Sequence, residues 1–106
     1  MDTEISYRVL KILEEEPEIT QRALAVHLGI SIGKANYCLK ALMRKGFIKA
    51  RNFKNSNRKT QYVYVLPPQG IQERTRVTLE FLRRKSAEFD EIRDEIERLS
   101  TRLEKQ

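Results

Sequence analysis

Apolar residues recur at helical spacing in several blocks along the chain, separated by short breaks. Ile5, Val9, Ile12 and Leu13 share one face of a first helix over about residues 4–15, which Thr3 can cap and Pro17 stops. The acidic run Glu14–Glu16 at its end opposes the helix dipole and reads as a solvated face. A second helix starts at Thr20, whose oxygen can satisfy free amides of the first turn, and reaches about Leu28. Gly29 suits the left-handed residue after a helix. Ser31 caps a third helix, which runs to about Lys45 and ends at Gly46. Only Gly29 and Ile30 separate the second and third helices, so the chain must turn sharply between them.

The pattern then changes to extended. Phe47 to about Phe53 forms one strand, and Gln61–Leu66 forms another with the β-formers Tyr62, Val63, Tyr64 and Val65. The polar, turn-rich stretch from Lys54 to Thr60 makes them a hairpin with a basic tip. Pro67 and Pro68 end the second strand, and proline is tolerated in a helix's first turn. From about Gln69 to Glu104 Gly70 is the one breaker, which predicts a helix of about 54 Å. Leu82, Lys85, Phe89, Ile92, Ile96, Leu99 and Leu103 alternate steps of three and four along it. That is a heptad seam with one polar interruption at Lys85, suited to a partner helix. Glu80–Arg84 and Asp94–Arg98 are spaced to support the same helix. The expected organisation is a domain over residues 1–68 followed by a dimerisation helix over residues 69–106. Parallel and antiparallel pairing both satisfy the seam.

Charge sharpens this picture. The net charge of the 106 residues is +6. Residues 1–18 hold six acids and two bases, and residues 73–106 hold nine of each. Residues 19–72 hold ten bases and no Asp or Glu. A folded segment of one sign attracts a polyanion, and nucleic acid is the usual one. The chain has no apolar run long enough to span a membrane and no apolar leader, so a cytoplasmic protein is expected.

The acid-free segment contains the most informative motif, Thr20 to Leu42. Ala25 and Ala35 are small residues where two steeply crossing helices must touch, and Gly29 makes the turn. Leu24, Leu28, Ile30, Cys38, Leu39 and Leu42 face a core. This is the pattern of a helix-turn-helix. The third helix then presents Ile32, Gly33, Lys34, Asn36, Tyr37, Lys40 and Arg44 outward. Asn36 and Tyr37 are placed for base edges, and an asparagine amide that both donates and accepts suits adenine. Ile32 can meet a thymine methyl, while Ser31, Lys34 and Lys40 suit phosphates. On the hairpin, Lys49, Arg51, Lys54, Arg58 and Lys59 form a basic wing, with Arg58 the candidate for a narrow minor groove.

Thr20–Leu42, followed by Met43-Arg-Lys-Gly-Phe-Ile and Tyr62-Val-Tyr-Val-Leu-Pro-Pro-Gln-Gly-Ile, resembles the MarR family of bacterial winged-helix regulators. The likeness is greatest to short members associated with exopolysaccharide gene clusters. It implies that Ser31, Ile32, Gly33, Asn36 and Tyr37 face the major groove and the wing faces the minor groove. The chain departs from the family in lacking an Asp beside its wing arginine. It also has no room for the usual N-terminal dimerisation helix. Pairing would then fall on Leu82, Phe89, Ile92, Ile96, Leu99 and Leu103.

Other chemistry is poorly represented. The single cysteine, Cys38, forms no disulfide framework and reads as a small core residue. The single histidine, His27, reads as a surface residue near phosphate, and no His/Cys set for a metal exists. Catalytic triads and phosphate-binding glycine loops are lacking, so neither enzymatic activity nor a cofactor is expected. The expected fold class is mainly α with a small β-hairpin: a winged helix-turn-helix domain followed by a long C-terminal dimerisation helix. The expected partners are double-stranded DNA and a second copy of the chain, with no membrane. A protein-interaction module without duplex binding is the alternative function, and an RNA-binding winged helix lacks the usual aromatic platform.

Overall fold

The computed structural model describes residues 1–54 and 60–105, and for residues 53, 54, 60 and 61 the backbone alone. The elements run α1 (Thr3–Glu15), α2 (Gln21–Leu28), α3 (Ile32–Arg44), β1 (Lys49–Lys54), β2 (Thr60–Val65) and α4 (Pro68–Glu104). The fold class is the one the sequence predicts, a winged helix-turn-helix with a long C-terminal helix.

Local chemistry sets most boundaries. Thr20 and Ser31 cap α2 and α3, their side chains accepting from the amides of Ala23 and Lys34 at 3.1 Å. Gly29 lies in the left-handed region with φ 68°, and this sharp turn lets the Ile30 amide donate back to the Ala25 carbonyl. The cap of α1 differs from expectation. Asp2, not Thr3, accepts from Glu4, and the Thr3 hydroxyl donates instead to Glu80 of α4. The first strand also starts later than Phe47, because the Phe47 amide still closes the end of α3 on the Leu42 carbonyl.

The two strands pair antiparallel, with Lys49 opposite Val65 and Arg51 opposite Val63. Ala50 and Tyr64 lie opposite each other and point to the core; Tyr64 is buried and Ala50 packs against the same cluster. The Tyr64 amide donates to the Pro17 carbonyl, which ties the wing to the α1–α2 link. The core itself gathers Val9, Leu10 and Leu13 of α1, Leu24 of α2, Leu39 and Leu42 of α3, Ile48, and Val77 of α4.

α1 packs along the first part of α4. The rings of Tyr7 and Phe81 stack at 4.5 Å. Charged residues flank them: Glu14 pairs with Arg74, Asp2 with Arg84 at 3.9 Å and Glu4 with Lys85 at 3.9 Å. The N-terminal end of α1 thus meets residues 84 and 85 and its C-terminal end meets residue 74, so the two helices run antiparallel. The acidic end of α1 is only partly a solvated face, since Glu14 has a cationic partner. Within α4, Glu80 pairs with Arg84 as expected, but Asp94 pairs with Arg93 rather than with Arg98. Such exposed pairs contribute little each.

The start of α4 is pressed against the α3–β1 turn. Gly46, at φ 76°, receives the Gln69 side-chain amide on its carbonyl at 2.9 Å. A Cβ on Gly70 would collide with the carbonyl of Phe47. Glycine inside a helix normally costs about 1 kcal/mol relative to alanine. Here the sign reverses: Gly70→Ala should destabilise the protein by about 1–3 kcal/mol through overpacking. Chemical denaturation of the two proteins measures this, and a more stable variant would contradict the close approach.

Candidate nucleic-acid interface

α3 has two faces because its apolar residues recur at three and four. Ala35, Cys38, Leu39 and Leu42 are buried against the domain. Gly33, Tyr37, Lys40 and Arg44 lie on the opposite, exposed side, flanked by exposed Ile32 and Lys34, and Asn36 is half-buried at its edge. Tyr37 keeps 62% of its surface accessible, an unusual exposure for an aromatic side chain in a small domain. Gly33 is equally telling. A Cβ there would meet nothing within 4 Å, so no packing among the described residues asks for glycine at that point. Its lack of a side chain leaves room for another molecule to approach the α3 backbone.

Ser31 is exposed and spends its hydroxyl oxygen on the Lys34 amide, which leaves the hydroxyl hydrogen for an outside acceptor. Asn36 departs from expectation. Its Oδ1 is engaged, because Gln21 Nε2 at the start of α2 donates to it at 3.2 Å. The amide therefore does not offer a free donor and a wholly free acceptor together. Gln21 is the residue that reading the sequence misses. Its signal lies in the geometry of the motif, where crossing brings the first turn of α2 over the first half of α3.

On the wing, Lys49 and Arg51 are exposed on β1. Lys54 ends that strand, and Arg58 and Lys59 lie outside the described residues, as does the groove role assigned to Arg58. His27 is exposed, and its carbonyl accepts from Arg8 at 2.9 Å. It sits on a shallow groove with Tyr7, Arg8, Lys11, Ile12 and Phe81 between α1, α2 and α4.

The seam residues of α4 are the other exposed set. From Leu82 to Lys105 every residue is exposed in the single chain. Leu82, Phe89, Ile92, Ile96, Leu99 and Leu103 keep between 51% and 70% of their surface accessible. Lys85 turns off the seam, toward Glu88 at 3.2 Å and Glu4 of α1. Among the described residues no helix is long and apolar enough to cross a membrane. Nor do they bring together three or more His, Cys, Asp or Glu side chains that could hold a metal ion.

Residues 2–49 match the family model described as winged helix-turn-helix DNA-binding. Curated protein sequences give no match. Among solved structures, the chain is similar to Staphylococcus aureus MarR in complex with salicylate and kanamycin. That match has 20% identity and a TM-score of 0.58, covering 81% of this chain and 56% of that one. A PadR-like transcriptional regulator from Bacillus cereus matches with 14% identity and a TM-score of 0.70, over 81% and 88% of the two chains. Bacillus subtilis PadR in complex with operator DNA matches with 23% identity and a TM-score of 0.55, over 67% and 44%. The chain thus spans about half the length of that MarR and that PadR.

Two buried acids of the domain give a test that needs no ligand. Burial pushes the Cys38 thiol above its ordinary value of 9.0, against the pull of Lys34. Burial likewise raises the Tyr64 hydroxyl above 10.0, against a side-chain hydrogen bond from Gln21. An acid with a raised folded pKa stabilises the fold fully below its unfolded pKa and loses that contribution as pH climbs through the folded value. Melting temperature should therefore fall as pH rises past about 9, and Cys38→Ala and Tyr64→Phe should each flatten the fall. Equal slopes in all three proteins would contradict the burial of these groups.

Proposed function

We propose that the protein is a sequence-specific DNA-binding transcriptional regulator that acts as a homodimer in the cytoplasm and has no enzymatic role. One observation carries the reading. An outward helix face of Gly33, Tyr37, Lys40 and Arg44, edged by Asn36, lies in a stretch of ten bases and no acid. The order of elements supports it, being that of winged helices in which the second helix of the motif enters the major groove. So do the solved regulators that share the fold, one of them in complex with operator DNA.

In this reading α3 lies in the groove. Tyr37 and Asn36 touch base edges, Ile32 meets a thymine methyl, and Gly33 lets the backbone come close. Ser31, Lys34 and Lys40 hold phosphates, as do Arg51, Lys54, Arg58 and Lys59 of the wing, with Arg58 reaching the minor groove. Residues 1–68 are the reading domain, and residues 69–106 bring two such domains together. The exposed seam from Leu82 to Leu103 is what a second copy would cover, through Leu82, Phe89, Ile92, Ile96, Leu99 and Leu103. An uncovered apolar stripe over about six turns is the kind of exposed patch that marks an interaction surface. Two domains on one dimer would read half-sites about 34 Å apart. The resemblance to short MarR proteins makes exopolysaccharide genes the targets to examine first.

The assignments separate cleanly in a binding experiment. Lys40→Ala or Arg51→Ala should weaken binding to all duplexes alike and reduce the salt slope by about 1 each. Tyr37→Ala should instead relax preference at one or two base pairs, at a cost of about 1–3 kcal/mol for the best site. A protein that ignores duplex DNA even in dilute salt would refute the regulator and favour a protein-interaction module.

The dimer has its own test. Ile96→Glu should shift the sedimentation coefficient to that of a monomer and lower operator affinity. Arg83→Ala and Glu97→Ala, off the seam, should leave both unchanged. If Ile96→Glu sediments as the parent does, another surface holds the dimer or none exists.

A further inference from the structure

The Gln21–Asn36 contact, taken together with the DNA-binding reading on which this inference rests, says more about base readout than residue type alone. A carboxamide has one accepting end and one donating end. Gln21 points its Nε2 at Asn36 Oδ1 at 3.2 Å, so the accepting end of Asn36 is engaged from inside the protein. The donating end, Nδ2, is the end left for a molecule outside. Asn36 is half-buried at the edge of the exposed strip that Gly33, Tyr37 and Lys40 form.

Gln21 is half-buried in the first turn of α2, and the Tyr64 hydroxyl of the wing, itself buried, feels it as a neighbour that favours its ionised form. Capping does not require a glutamine here, since Thr20 already caps that turn.

We propose that Gln21 is a positioning residue that makes Asn36 a one-way donor, so that this position reads the acceptor edge of guanine rather than the donor–acceptor pair of adenine. Adenine recognition by asparagine needs both ends of the amide, one for N7 and one for the N6 amino group. Guanine presents two acceptors, O6 and N7, to an amino group that only donates. The base preference expected from residue type is thereby reversed by a neighbour that never touches DNA.

Selection of bound sequences from random duplexes tests this, run with the unaltered protein, Gln21→Met and Gln21→Glu. The unaltered protein should return guanine at the Asn36 position. Methionine keeps the volume and removes the amide, so discrimination there should drop about tenfold with the rest of the consensus intact. Glutamate can only accept. It should draw the Asn36 amino group inward, turn Oδ1 outward and move the preference to cytosine, whose N4 amino group donates. Its added negative charge should weaken all sites uniformly, which leaves the base ranking readable. Melting curves of each variant check the fold, and Gln21→Met decides alone if Gln21→Glu melts early. Adenine in the parent consensus, or guanine preserved in both variants, overturns the proposal while leaving DNA binding intact. No consensus from the unaltered protein overturns the DNA-binding reading and this inference with it.

Discussion

The close approach between the first turn of α4 and the backbone of Phe47 governs the rest of the molecule. It exists because residue 70 is glycine, the one residue that leaves room for the Phe47 carbonyl. The contact sits at the end of α3, where Gly46 turns left-handed and gives its carbonyl to Gln69. The long helix therefore leaves the domain directly from the segment that terminates α3. A second anchor follows about three turns later. There Phe81 stacks on Tyr7 and the charges of α1 grip Arg84 and Lys85, while Glu14 holds Arg74 between the two anchors. Two separated anchors on one rod define a direction as well as a position.

Much of this is readable from residues whose effect is local. Gly29 and Ser31 set a turn and a cap through their own backbone and side chain, so the boundary between α2 and α3 can be placed from the sequence. The heptad steps from Leu82 to Leu103 survive as one exposed stripe for the same reason. Contacts between distant residues are not readable. Thr3 has the chemistry of a cap, yet Asp2 takes that role and Thr3 turns to Glu80, 77 positions away. Gly70 resembles a flaw in a helix and is a steric requirement of packing. Asn36 has the form of a free bidentate reader, and a glutamine 15 positions earlier occupies half of it. Each miss has the same physical cause: a side chain's partner depends on crossing angles that spacing along the chain does not encode.

Lys85 shows how the two parts of α4 are told apart. By spacing it belongs to the apolar seam, where an ammonium would be costly to bury. The structure sends it sideways to Glu88 and Glu4, with its charge 5.4 Å from the centre of the Phe81 ring. It thus closes the packing between α1 and α4 and opens the stretch that none of the described residues covers. The polar position is a boundary marker between intramolecular and unpartnered surface, which a count of apolar residues would treat as noise.

The anchored rod also has a mechanical consequence. A helix of 37 residues is about 55 Å long and resists bending over that length. Pivoted at Gly70, a tilt of about 5° carries its far end through about 5 Å. Any molecule that wedges between α1 and α4 would therefore be amplified as by a lever. A shift of about 1 Å at the Tyr7–Phe81 stack becomes about 3 Å at the tip, comparable to the rise of a base pair.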